Sequence, residues 1–175
     1  MLKKIVIGLV VILVIVCGMA ATKPDSFTVV RSATIKAPPE KIIAQINDFH
    51  NWSNWSPWEH LDPNMKRTFS GAANGKGAVY NWEGNKEVGA GRMEITDQAV
   101  PSKVDIKLDF LEPFKSSNTT VFALEPKGDM TTVTWTMSGP APFITKLMMV
   151  FTSMDAMIGK DFEKGLTQLK AVAEK

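Results

Sequence analysis

The side chains best suited to chemistry in this sequence are few and loosely spaced. Histidine occurs only at His50 and His60, and Glu59-His60-Leu61-Asp62 sets two carboxylates around one imidazole. Such a group could hold a metal ion or exchange protons. Adjacent residues point in different directions, however, and this histidine spacing matches no familiar zinc motif. Glu59 and His60 therefore remain acid–base candidates without a fixed second partner, and no catalytic residue, metal or cofactor is assigned. Glu83 and Glu94 are the other carboxylates that could enter a pocket. Arg31 interrupts an apolar strand face. It would pair with a carboxylate such as Glu83 or Glu94 across a sheet, bind an anionic head group, or be turned outward by a local bulge. No glycine-rich phosphate loop or G-x-S-x-G nucleophile motif is present.

Binding chemistry has more material. Trp52, Trp55 and Trp58 recur at three-residue steps and would crowd one helix face or loop. They either anchor the first helices or form a rim that closes over a ligand, with Trp55 and Trp58 as the ligand-binding candidates. Tyr80, the only tyrosine, shares a strand face with Trp82 and offers a hydroxyl to orient a ligand. Met93, Phe110, Trp135 and Met137 are further strand candidates for a pocket lining. Met148, Phe151 and Met154 would contribute from the C-terminal helix, where methionines suit irregular apolar ligands. Plain packing of helix on sheet is the alternative role for all three.

The elements that must position these groups follow from periodicity. Phe27 to Lys36 alternates, with Phe27, Val29, Ala33 and Ile35 on one side, as a half-buried strand does. Pro38-Pro39-Glu40 opens a short helix whose apolar face is Ile42, Ile43 and Ile46. A second short helical stretch carries the tryptophans. Six strand-like runs between residues 67 and 138 follow, separated by tight turns, which predicts an antiparallel meander. The clearest alternation is Val104, Ile106, Leu108 and Phe110. Pro140 and Pro142 end the sheet. From Phe143 onward, Ile144, Leu147, Phe151, Met154, Ile158, Phe162, Leu166, Leu169 and Val172 recur at helical steps. This spacing predicts one long helix to the end, about 45 Å at 1.5 Å per residue. The fold class is α+β: a curved antiparallel sheet of about seven strands gripping a long C-terminal helix, with two short helices after the first strand.

Residues 1–22 form a separate hydrophobic segment, and the domain spans 25–175. Lys3 and Lys4 precede an apolar run from Ile5 to Ala21, close to the roughly 20 residues that cross a bilayer. The segment reads as a signal anchor or a cleavable signal peptide. With the lysines retained in the cytoplasm, the domain would face the periplasm or cell exterior, membrane-anchored or secreted after cleavage. Cys17, the single cysteine, lies inside this run and allows no intrachain disulfide. Val16 before it disfavours lipidation.

The 175 residues carry a net charge of +2, and beyond Lys3 and Lys4 the basic and acidic residues balance. A neutral domain lacks the footprint that nucleic-acid binding needs. The expected partners are therefore a hydrophobic small molecule or lipid, and a membrane through the N-terminal segment.

The order of elements, together with local motifs, resembles the SRPBCC superfamily of helix-grip (START/Bet v 1-like) domains, in its polyketide cyclase/dehydrase and lipid-transport branch. The residues carrying the resemblance include Val30-Arg31-Ser32, Ile35-Lys36-Ala37-Pro38-Pro39-Glu40, Asp48-Phe49-His50-Asn51-Trp52 and Trp55-Ser56-Pro57-Trp58. Asp62-Pro63, Gly77-Ala78, Trp82 and the run from Lys160 to Leu166 add to it. The resemblance covers about Asp25 to Lys175. It implies a cavity between sheet and C-terminal helix, and no particular reaction.

The leading expectation is a non-catalytic binder or carrier of a hydrophobic small molecule or lipid. A cyclase- or hydrolase-like enzyme using pocket carboxylates is one alternative, and convergence of two among Glu59, Glu83 and Glu94 would favour it. An interaction module with a filled core is the other, and a cavity below about 300 Å3 would point there.

Overall fold

The computed structural model describes residues 1–175. Helix α1, Leu2–Ala21, precedes strand β1, Ser26–Ile35, and helix α2, Pro39–Ile46. Two 3-10 turns, Phe49–Asn54 and Pro57–His60, lead into β2 (Lys66–Gly71), β3 (Ala78–Glu83), β4 (Ala90–Ala99), β5 (Lys103–Glu112), β6 (Ser116–Lys127) and β7 (Met130–Pro140). Helices α3, Phe143–Phe151, and α4, Met154–Ala173, end the chain. The sheet order is β1-β7-β6-β5-β4-β3-β2. Each pair is antiparallel. This is the expected meander, with β1 added at its β7 edge and β2 at the other.

The strand alternation sorts side chains between two faces. Val29, Ile35, Ile95, Val104, Ile106, Phe122 and Val133 are fully buried on the concave face, which α2, the 3-10 turns and α4 cover together. Thr132, Thr134, Thr136 and Ser138 stand on the other. The core cluster of 24 buried residues begins at Val29 and takes none from α1. A fragment from Lys23 to Lys175 therefore keeps the whole core. Helix α1 has a mean hydropathy of 2.8, is barely covered by the rest of the chain, and is long and apolar enough to cross a membrane.

Two tryptophans do local work that spacing does not reveal. Trp52 Nε1 donates to the Ile46 carbonyl and Trp55 Nε1 to the Gln45 carbonyl, each at 2.9 Å. Both indoles thus satisfy carbonyls that the end of α2 leaves unpaired. They weld the 3-10 segment to α2.

The single C-terminal helix expected from periodicity is divided. Thr152 is extended, at φ −150° and ψ 169°, and the Ser153 side chain accepts from Ala156 N at 3.0 Å. A serine N-cap offers the backbone an alternative to continuing the helix. The apolar pattern runs through the break although the two helices pack differently, α3 against α1 and α4 against β1. Only α4 buries its face fully, through Gly159, Phe162, Gly165, Leu166, Leu169 and Ala173.

Helix α4 is strapped along β1. Arg31 points inward in regular register opposite Trp135, without a bulge. Its partners are neither Glu83 nor Glu94. Arg31 Nε donates to Glu163 at 2.6 Å, and its Nη atoms donate to Asp155 at 2.6 and 3.0 Å. Those acids lie far away in sequence, so strand periodicity could not select them. The guanidinium rests on Gly159, where an added Cβ would come within 2.1 Å of Nη2. At the other end, Lys170 donates to the Thr34 carbonyl and Lys36 N donates to Glu174.

The Arg31 hydrogen bond holds the Asp155 carboxyl below its ordinary value of 3.8. Its contribution is complete above that value and is lost as pH falls through the lower folded-state value. Arg31→Met should therefore differ from the parent in urea midpoint at neutral pH, by a margin that shrinks below about pH 4. A margin constant with pH would assign the role of Arg31 to packing alone.

Candidate functional site

Between α4, the 3-10 turns and strands β3 to β7 lies a cavity of about 210 Å3, with 13 of its 16 lining residues hydrophobic. Tyr80, Trp82, Met93 and Phe110 supply its sheet wall. Trp135 and Met137 continue it towards α4, and Trp58 closes the side nearest the turns. A second cavity of about 170 Å3 lies beside the first, towards the α1 end of the sheet. Met148 of α3 and Met154 of α4 line this second space. Phe110, Met137 and Ile158 belong to both linings.

Two residues expected at a ligand are placed elsewhere. Trp55 lines neither cavity. It is fully buried behind the first, packed edge-on against Phe122 and Trp135. Phe151, at the end of α3, is 77% exposed and also lines neither. Helical spacing aligned it with Met154, but the break at Thr152 and Ser153 ends that alignment.

The polar corner of the first cavity is built on Glu59. Pro57 opens the 3-10 turn and Glu59 is carried inward, 6% exposed, while the next residue, His60, faces solvent. Glu59 Oε1 accepts from the Tyr80 hydroxyl at 2.6 Å and Oε2 from Arg67 Nε at 2.7 Å. Arg67 also donates to the carbonyls of Glu59 and Met65. Burial, followed by the hydrogen bond to Glu59, pushes the Tyr80 phenol well above its ordinary range. The Glu59 carboxylate likewise raises the Arg67 guanidinium. Tyr80 thus remains a protonated donor and Arg67 a cation at neutral pH, both turned on one carboxylate.

Glu83 and Glu94 do not join Glu59. Each lies one position out of step with the inward Tyr80, Trp82 and Met93, on the opposite face of the sheet. Glu83 faces Lys66 and Glu94 faces Arg92. Asp62 is buried, but it accepts from the Asn64 and Asn85 backbone N–H groups and ties its loop to the β3–β4 turn. His50 pairs with Asp48 and stacks on Phe69. The Glu59-His60-x-Asp62 run is therefore dispersed by the turn that contains it, and no three His, Cys, Asp or Glu side chains converge as a metal-binding group.

Several further residues complete the wall. Leu108, Ile158 and Phe162 carried a signal, since each stood on an apolar face already identified. Met65 and Val88 come from loops, where no periodicity exists to mark them. Arg67, the cation of the polar corner, stood on a strand with nothing to tie it to Glu59.

Solved structures with the same fold come from varied sources. The Aha1 dimer from Colwellia psychrerythraea superposes with a TM-score of 0.60 at 18% identity, over 85% of this chain and 96% of that one. Ginseng major latex-like protein 151 from Panax ginseng gives 0.60 at 13% identity, over 85% and 97%. The di-domain ARO/CYC BexL of the BE-7585A biosynthetic pathway gives 0.63 at 13% identity, over 90% of this chain and 53% of that longer one. At such identities the likeness concerns the fold alone. No curated protein matches the sequence. Residues 26–174 match the family described as polyketide cyclase / dehydrase and lipid transport. With the helix-grip architecture and nearly the whole domain matched, the chain belongs to that family.

Proposed function

We propose that the domain binds a small, largely apolar molecule in the space between its sheet and α4, and that α1 tethers it to a membrane with the domain on the exported side. The observation that carries this reading is the apolar cavity whose few polar lining groups are Ser56, Thr120 and the Glu59–Tyr80 pair, with Arg67 held behind Glu59. Pockets of that composition hold ligands by apolar contact and orient them through a few polar groups. The family description, which joins ring-forming enzymes and lipid transport, is consistent with it.

Volume constrains the ligand. At about 210 Å3 the first cavity alone is below the usual range of ligand clefts, about 300 Å3 upwards, and by itself would favour a filled interaction module. The second cavity shares the Phe110, Met137 and Ile158 wall, so a ligand site spanning both spaces requires those side chains to turn aside. A cavity of about 150 Å3 suffices for a benzene ring. The first space thus suits a compound of one or two small rings, and a longer apolar molecule would need both. For an enzyme, only one of the three candidate carboxylates reaches the cavity, and both its oxygens already accept hydrogen bonds.

The test is native mass spectrometry of the Lys23–Lys175 fragment, followed by organic extraction of what copurifies. One apolar adduct per chain is expected, and it should be lost in Met137→Trp and in Ile158→Trp, with folding checked by circular dichroism. A bare mass after incubation with envelope lipid extract and with small aromatic ketones would reject the binder.

A further inference from the structure

The end of the domain from which α1 emerges is unlike the other surfaces. Helix α3 reads Phe-Ile-Thr-Lys-Leu-Met-Met-Val-Phe, and its only charge, Lys146, is engaged by Asp25. It buries no residue fully, and Phe143 and Ile144 join Phe151 in being exposed. The register Ser26 with Pro140 and Phe110 with Ser116 brings the β5–β6 turn to this same end. Leu111 at the end of β5 and Phe114 in the turn are exposed, the latter by 56%. The opposite end carries the exposed Lys36–Asp129 pair and only Val100 and Met130 as exposed large apolar side chains. Apolar side chains gathered in this way on a folded domain mark a contact surface.

What covers this surface follows from its neighbour. Helix α3 packs against α1, which beyond Lys3 and Lys4 is apolar and otherwise almost uncovered by the rest of the chain. The four residues Thr22 to Asp25 span at most about 14 Å, and the Ala141 N–H donates to the Asp25 carbonyl at 2.7 Å. The domain is therefore held close to the end of α1 and cannot swing far from it. We infer that α3, with Leu111 and Phe114, seats in the interfacial layer of the lipid bilayer that α1 enters, so that the second cavity faces the lipid. This rests on reading α1 as a membrane anchor and adds a second, surface-lying contact to it. Lys23 and Lys115 flank the patch, where a long cationic side chain keeps its stem in the apolar layer and its charge among head groups. An interfacial helix of this kind lies about 5–10 Å deep. An apolar ligand then reaches the second cavity, lined by Phe114, Met148 and Met154, from the membrane and not through water.

The full chain, with Cys17→Ser, is reconstituted in vesicles of phosphatidylcholine with a minority of phosphatidylglycerol. Nitroxides are attached through Val10→Cys, Phe114→Cys, Phe151→Cys or Asp129→Cys, one at a time. Accessibility to oxygen and to a nickel chelate is read by electron paramagnetic resonance. Labels at 10, 114 and 151 are expected to be oxygen-accessible and several-fold protected from nickel relative to 129. Immersion at 10 with 114 and 151 as aqueous as 129 overturns this inference and leaves the anchor standing. An aqueous label at 10 overturns both. Protection from both reagents at 114 and 151, with broadening between labels, would place a second copy of the chain on this face and overturns the lipid contact.

Discussion

Glu59→Leu is expected to destabilise the domain by about 3 kcal/mol, the low end of what breaking a buried ion pair costs. The loss has two parts. Arg67 would keep its charge beside the cavity with only backbone carbonyls as partners. Tyr80, 3% exposed, would hold a hydroxyl with no acceptor, and a buried unpaired polar group costs about 1–3 kcal/mol. Because Arg67 retains some access to solvent, the low end applies. Tyr80→Phe alone removes one hydrogen bond to a charged group, about 2 kcal/mol. The double variant should cost clearly less than the sum, since leucine at 59 has already orphaned the phenol. Urea unfolding of the Lys23–Lys175 fragment measures all three. A change within about 0.5 kcal/mol for Glu59→Leu would mean that the desolvation of these groups cancels their attraction. The corner would then persist for its chemistry towards a ligand and not for stability.

Trp135→Ala should be comparably severe, at about 3–5 kcal/mol for a large aromatic in a packed core. Its ring stacks on Phe162 with centroids 4.1 Å apart and planes 13° from parallel. It also meets Phe122 at 4.8 Å, Trp55 at 5.7 Å and Trp58 at 5.9 Å. Few of these neighbours can collapse inward, because Gly165 already brings the α4 backbone against the ring, with an added Cβ only 2.8 Å from it. The lost volume should therefore join the first cavity. The variant, if still folded at low temperature, should bind larger ring compounds than the parent in native mass spectra. Trp135→Phe is expected to be much milder, because the indole N–H has no protein partner to lose. Equal losses for alanine and phenylalanine would show that the indole's outer ring, not filled volume in general, decides stability here.

Much of the architecture was legible in the sequence because it rests on local periodicity. Alternation in Val104, Ile106, Leu108 and Phe110 places one face of β5 in the core whatever its neighbours are. The prolines at 38 and 39 and the isoleucines after them define α2 in the same way. The break before α4 was not legible. Its signal is one serine within an unbroken apolar pattern, and a side chain that caps in this chain could equally have faced solvent in a continuous helix.

The site divides along the same line. That Tyr80 and Trp82 share a face, and that Met137 lies with Trp135, follows from a period of two. That Glu59 meets Arg67 and Tyr80, that Arg31 meets Asp155 and Glu163, and that Trp55 caps α2 depend on contacts between separate elements. By itself the sequence determined the class of fold, the apolar face of each element and the presence of an apolar N-terminal helix, since each of these follows from residues a few positions apart. Which carboxylate enters the cavity, which aromatics line it and how large it is belong to the folded domain and not to any local run of residues. Those outcomes depend on how elements dock, where shifts of an ångström in helix position choose the neighbours and no local pattern records the choice.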